Sequence, residues 1–239
     1  MPHTLNLWRR QLGKVPESVW RRTELQVLIL ADNGLTDLPP EVGQLRRLTT
    51  LDLGHNRLTA LPDELGDLTD LDGFLYLHDN ALTELPDALG KLIRLRYLNV
   101  GENTLTALPE AVGRMAGLIE LRAQHNRLTT LPDNFGELRA LRELWLRGNE
   151  IDRLPPSVAD LHELRHLDLR ENALAELPPV LADLPLLRHL DLRSNRLTAL
   201  PQWVPTIPSL EKLDLRWNAS EPSAALLGEL ERRGCVVLL

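Results

Sequence analysis

The chain has 239 residues, a net charge of −7, a single cysteine, and aromatic side chains at only 4% of positions. The acidic balance argues against a nucleic-acid backbone as partner. The lone Cys235 excludes an internal disulfide, and no apolar run reaches the ~18 residues of a membrane helix.

The opening MPHTLNLWRRQLGK lacks the charged-then-apolar layout of a secretion signal. With the single cysteine, this predicts a cytoplasmic protein. Further on, the chain repeats. Asn33, Asn56, Asn80, Asn103, Asn126, Asn149, Asn172, Asn195 and Asn218 stand 23 residues apart, except for the 24 between Asn56 and Asn80. The stretch LRHLDLRENALAELPPVLADLP (164–185) shows the unit, L-x-x-L-x-L-x-x-N-x-L-x-x-L-P-x-x-L-x-x-L. Its x-L-x-L-x segment alternates with period two and reads as a short strand with both leucines inward. The following proline, as in Leu61-Pro62 or Leu108-Pro109, cannot continue a ladder and turns the chain onto the opposite face. Return segments such as DELGDL (63–68) add two apolar core positions in a helical or irregular turn. No unit buries its own edge, so stacking is obligatory.

The asparagine is expected at the strand-to-turn corner, where its amide offers donors and an acceptor to backbone groups of adjacent coils. The asparagines are therefore scaffold, and Asn218-Ala-Ser220 is a glycosylation sequon by pattern only. The frame extends to both ends, with Leu5 and Leu7 before the first full unit and Val236 and Leu238 after the last, and with Arg10 at the asparagine position. Eleven strands at about 4.8 Å each would make a sheet roughly 50 Å long. One domain is expected over 1–239, with a degenerate N-terminal coil at 1–24, main repeats at 25–218 and a C-terminal cap at 219–239.

These motifs resemble the leucine-rich-repeat family, specifically the 23-residue intracellular type of bacterial repeat proteins and Ras-pathway scaffolds. The resemblance implies an α/β fold: a curved right-handed solenoid, parallel β-sheet on the concave face, short helices or turns on the convex face. It also implies a non-enzymatic scaffold that binds a protein or peptide on the sheet, without cofactor, nucleic acid or membrane. The alternatives are a structural module acting through its loops or convex face and, as the discarded rival, a zinc-dependent hydrolase centred on His162, Glu163 and His166 of HELRH (162–166).

Candidate site residues follow from the frame. The one 24-residue step falls in LDGFLYLHDN (71–80), where an extra residue between Leu71 and Phe74 predicts a bulge, with Gly73 in an unusual backbone conformation; the competing reading is a harmless insertion absorbed in the return segment. Outward strand positions carry Phe74, Tyr76, Tyr97, Arg122 and Trp145, and outward aromatics make good binding anchors. HELRH (162–166) matches the H-E-x-x-H zinc-hydrolase signature, which needs one continuous helix. The frame instead puts His166 in a strand and His162 in a return segment, so no metal site is expected. His166 and His189 share one column as an expected solvated pair. Arg147, Arg170, Arg193 and Arg216 form a further column, able to grip an acidic or phosphorylated partner. Asp168, Asp191 and Asp214 lie two residues before the last three, so a self-neutralising lattice is the competing reading.

At the C-terminus, SEPSAALLGELERRG predicts a helix capped by Ser220, with Pro222 in its first turn, an apolar stripe of Leu226, Leu227 and Leu230, and Gly234 at its end. CVVLL then predicts a last strand with Val236 and Leu238 inward. A monomer is expected, with a homodimer through this edge strand as the alternative.

Overall fold

The computed structural model describes residues 3–239; Met1 and Pro2, the start of the expected N-terminal coil, lie outside the described residues. Eleven three-residue strands form one parallel sheet in sequence order: β1 Thr4–Asn6, β2 Val27–Ile29, β3 Thr50–Asp52, β4 Phe74–Tyr76, β5 Tyr97–Asn99, β6 Glu120–Arg122, β7 Glu143–Trp145, β8 His166–Asp168, β9 His189–Asp191, β10 Lys212–Asp214 and β11 Val236–Leu238. Two short α-helices, α1 (Glu17–Trp20) and α2 (Ala224–Arg232), flank the array. The central leucines of β2 through β10, from Leu28 to Leu213, are sealed from solvent, and each pairs with its equivalent on the next coil.

The return segments are 3-10 turns rather than α-helices. In Asp63–Asp67, Pro62 enters in extended conformation, and Leu65 and Leu68 reach the core. Glycine lets these turns stack closely: a Cβ on Gly66 would lie 2.2 Å from the Ala88 carbonyl oxygen, and one on Gly136 would lie 2.1 Å from that of Ser157. Real Cβ atoms cannot approach so near.

The asparagines close the corners as expected. Asn103 donates its amide to the carbonyls of Leu77 (3.1 Å), Val100 (3.0 Å) and Gly101 (3.1 Å), and its Oδ1 accepts from Leu82 N–H (3.0 Å). Asn218 donates to the carbonyls of Leu192 and Leu215, and its Oδ1 accepts from Leu197 N–H. Although Arg10 replaces the asparagine of the first coil, Asn33 still accepts from its backbone N–H. The residue before each of these asparagines is left-handed, with φ between 50° and 66° from Asp32 to Trp217. Outside glycine that conformation is costly, and the amide bonds beside it hold it in place.

Three local expectations are corrected. The extra residue of the 24-residue step is Asp72, which precedes the strand. The ladder itself is unbroken, because Gly73 and Phe74 both donate to the Thr49 carbonyl just as Thr49 and Thr50 do to Gln26. Gly73 is not left-handed; glycine is needed there because a Cβ would lie 2.7 Å from the Thr49 carbonyl oxygen. Asp72 turns outward and pairs with Arg94 at 3.3 Å.

Helix α2 is capped by Ser223, whose hydroxyl accepts from Leu226 N–H, while the buried Ser220 hydroxyl has no partner. Pro222 therefore lies outside the helix. Leu226 and Leu230 are buried, and Leu227 is half-buried.

In β11 the inward residue is Val237. It pairs with Leu213 at a 24-residue step, leaving Val236 57% exposed. The physical reason is the cap: α2 returns the chain one residue late, and Cys235, buried and bonded through its N–H to the Leu230 carbonyl, takes up the extra step.

Candidate protein-binding face

Strand residues flanking each buried leucine point to the concave side, so their columns run across the sheet at one strand spacing. Phe74, Tyr76 and Tyr97 form one cluster, with Phe74–Tyr76 centroids 5.9 Å apart, Phe74–Tyr97 5.4 Å and Tyr76–Tyr97 5.1 Å. Phe74 is the most open of them at 46% exposure. Arg122 continues the row, its guanidinium 5.9 Å from the Tyr97 ring centre and 5.1 Å from that of Trp145. Such contacts draw on the negative face of the ring. Glu120 holds Arg122 in place at 2.6 Å, and Trp145 Nε1–H donates to Glu143 at 3.3 Å.

Beyond Trp145 the row runs on through two histidines that sequence reasoning assigned to solvent. His166 stacks on Trp145 at 4.2 Å, and His189 meets His166 edge-on at 5.6 Å. Burial, then the neighbouring His189, holds the His166 imidazole below the usual histidine range. Burial likewise raises the Tyr76 and Tyr97 hydroxyls above the usual tyrosine range. The result is an unbroken line of rings and one guanidinium from β4 to β9.

The arginine column is engaged with carboxylates of its own face. Arg147 binds Glu171 with two nitrogens at 3.1 and 3.3 Å, and Arg170 leans to the same carboxylate at 3.6 Å. Arg193 chelates Asp191 and reaches Asp214 at 3.4 Å. Arg216 binds Asp214 at 2.9 and 2.7 Å.

HELRH is not helical: His162 is exposed in a turn, His166 lies in β8, and Glu163 faces Arg165 at 3.5 Å. Among the described residues no group of three or more His, Cys, Asp or Glu is placed to hold a metal ion. A second histidine cluster escaped the sequence reading. His55 Nδ1 meets Asp79 at 2.6 Å, His78 Nε2 meets His55 Nε2 at 3.3 Å, and the His78 ring fills the space over Gly54. Its signal is the 24-residue step, which sets His78 beside Gly54 and Asp79 beside His55.

Three family profiles match in succession: a two-copy leucine-rich-repeat profile over 23–72, a leucine-rich-repeat profile over 74–128, and a leucine-rich-repeat region over 133–232. The chain belongs to the leucine-rich-repeat proteins. No curated protein sequence matches it. Among solved structures it is similar to the leucine-rich-repeat domain of the type III effector XopL from Xanthomonas, at 26% identity and a TM-score of 0.71, over 99% of this chain and 76% of that one. It is also similar to the plant peptide hormone receptor RGFR1 in complex with RGF2, at 26% identity and a TM-score of 0.72, over 98% of this chain and 46% of that one. The complex PEPR1-AtPEP1 gives 25% identity and a TM-score of 0.68, over 99% and 41%. This leucine-rich-repeat chain thus spans less than half the length of either of these two chains. Among its described residues no helix is long and apolar enough to cross a membrane.

Proposed function

We propose that this leucine-rich-repeat chain is a single non-enzymatic, cytoplasmic interaction module that binds a protein or peptide across its concave sheet. The observation that carries the reading is the continuous row from Phe74 to His189: rings held in mutual contact lose little freedom on binding and present apolar area with polar edges. Phe74, Tyr76, Tyr97 and Trp145 act as anchors, and Arg122 sets register between them. Arg147, Arg170, Arg193 and Arg216, already matched by carboxylates, frame the C-terminal half of the face and tune its charge preference. The plant peptide hormone receptor RGFR1, of the same fold and in complex with RGF2, supports a peptide as the occupant.

Affinity capture with the parent chain, Tyr76→Ala and Trp145→Ala tests the reading, with melting curves confirming that each variant folds. A partner held by the parent and lost by both variants is expected. A partner held equally by all three overturns the concave-face reading. It would favour a second one, docking through the loop-side groove between Leu154, Leu177 and Trp203.

A further inference from the structure

We propose that Asp168 is the floor of a subsite for a basic side chain, lysine or arginine, of the bound peptide; this rests on the concave-face reading and names the chemistry of its occupant. Three consecutive coils repeat Leu-Asp-Leu-Arg, placing Asp168 with Arg170, Asp191 with Arg193 and Asp214 with Arg216. In the last two, the arginine folds back onto the aspartate two residues before it. In the first it does not. Glu171, in the left-handed position after Arg170, faces both Arg170 and Arg147, whereas Ser194 and Trp217 occupy that position in the next two coils and offer no carboxylate.

Asp168 is left 6% exposed with no cationic side chain bonded to it. Its Oδ1 accepts the Arg170 backbone N–H at 2.9 Å, and among the described residues no hydrogen bond or ion pair reaches Oδ2. A buried carboxylate without a cationic partner is unfavourable, and a guanidinium or ammonium group is what completes it. The same coil holds two more unfinished groups, the buried Nε2 of His166 and Nε of Arg170, neither with a hydrogen-bond partner. Neighbouring cations are committed elsewhere: Arg122 to Glu120, Arg147 to Glu171, and Arg193 to Asp191 and Asp214. Arg170, the nearest guanidinium, is turned to Glu171, which it shares with Arg147, so Asp168 is the carboxylate of the three without a bonded cation. Burial, then the Asp191 charge, raises the Asp168 carboxyl to about 7, against the smaller opposing pull of Arg193 and Arg147.

Position adds a spacing rule. Asp168 lies four strands from Tyr76 and three from Tyr97, about 14 to 19 Å across the sheet. An extended peptide covers that with about four to six residues. The expected ligand therefore carries a large apolar residue and a basic one about that far apart.

The test is selection of random displayed peptides of about twelve residues on the immobilised full chain, and in parallel on Tyr76→Ala and Asp168→Asn, each checked for an intact melting transition. Parent-selected peptides should show the apolar–basic pair. Resynthesised with Arg→Gln, they should bind the parent about tenfold or more weakly, as when a charge-assisted bond is lost, and bind Asp168→Asn no more weakly than the unaltered peptide does. Enrichment of acidic residues, or an Arg→Gln penalty that persists on Asp168→Asn, overturns the subsite. If Tyr76→Ala abolishes binding while Arg→Gln changes nothing, the subsite fails and the concave-face reading stands. If Tyr76→Ala leaves the same peptides bound equally well, or no peptide is selected, both fall.

Discussion

Trp145 lies almost flat against His166, with ring centroids 4.2 Å apart and planes 26° from parallel. The contact joins the aromatic half of the concave row to its histidine half and shields the imidazole from water. Desolvation disfavours a charged ring, and the adjacent His189 adds to it, so His166 stays neutral to lower pH than a free histidine.

Removing the shield should therefore move the titration. Trp145→Ala is expected to raise the His166 pKa toward the ordinary value of about 6.5, followed by the imidazole carbon signals in an NMR pH series. An unchanged midpoint would mean that the tryptophan does not control the site.

Asp168 gives the opposite kind of pH dependence. Its folded carboxyl is raised from 3.8 to about 7, so the native state holds a proton that the unfolded chain has released. The stability it contributes is present at acidic pH and is lost as pH rises from about 4 to about 7. Asp168→Asn removes that loss. It should melt higher than the parent at pH 8, by about 2 to 4 °C for each 1 kcal/mol recovered, with the gap closing toward pH 4. Equal melting at both pH values would contradict the raised carboxyl.

In the core, Leu121 of β6 is sealed between Leu98 and Leu144. Leu121→Ala should cost about 2 to 5 kcal/mol. Because a stacked array is held by nearest-neighbour interfaces, that loss can let the two halves melt apart. A single transition at the parental temperature would be the contrary result.

The corner asparagines permit a sharper test. Asn126 donates to the carbonyls of Val100 and Ala123 and accepts from Leu105 N–H, all within 3.1 Å. Asn126→Asp keeps the acceptor but sets a carboxylate against those two carbonyls, at an expected cost of about 2 to 4 kcal/mol near pH 7. Protonation restores one donor, so the deficit should shrink on acidification; denaturant titrations at two pH values decide it.

Deleting residues 235–239 removes β11 together with the buried Cys235 and half-buried Val237. A lower melting temperature is expected, with light scattering reporting the mass of a single chain both before deletion, at 27.0 kDa, and after it. A parental dimer that becomes monomeric on deletion would instead assign the edge strand to self-association.

Strand leucines, corner asparagines and the number of strands were legible because each rests on a short local pattern repeated with one period. The misplacements share one cause: at Asp72 and at Cys235 a single extra residue is taken up just before a strand, and a fixed 23-residue frame cannot show which residue absorbs it. The N-cap of α2 was missed because Ser220 and Ser223 both precede an apolar run, and only the bond to Leu226 N–H distinguishes them. The columns named the anchors but not the pairing of Arg147 and Arg170 with Glu171. That depends on competition between Asp168 and Glu171 for Arg170, and on Glu171 reaching Arg147 one coil away, which side-chain geometry decides.

The close stacking at Gly66 and Gly136 sets the geometry of bending. Strand spacing on the inner side is fixed by hydrogen bonds, so the radius of the arc depends on how thick each outer turn is. The equivalent outer position is Gly43, Gly66, Gly90, Gly113 and Gly136, then Ala159 and Ala182, then Pro205. Added bulk on the outside of a ring wedges successive units apart there and tightens the turn. The bend is therefore expected to be tightest at the coils bearing Ala159, Ala182 and Pro205, and a rigid, straight ligand is expected to fit the glycine-bearing coils more readily.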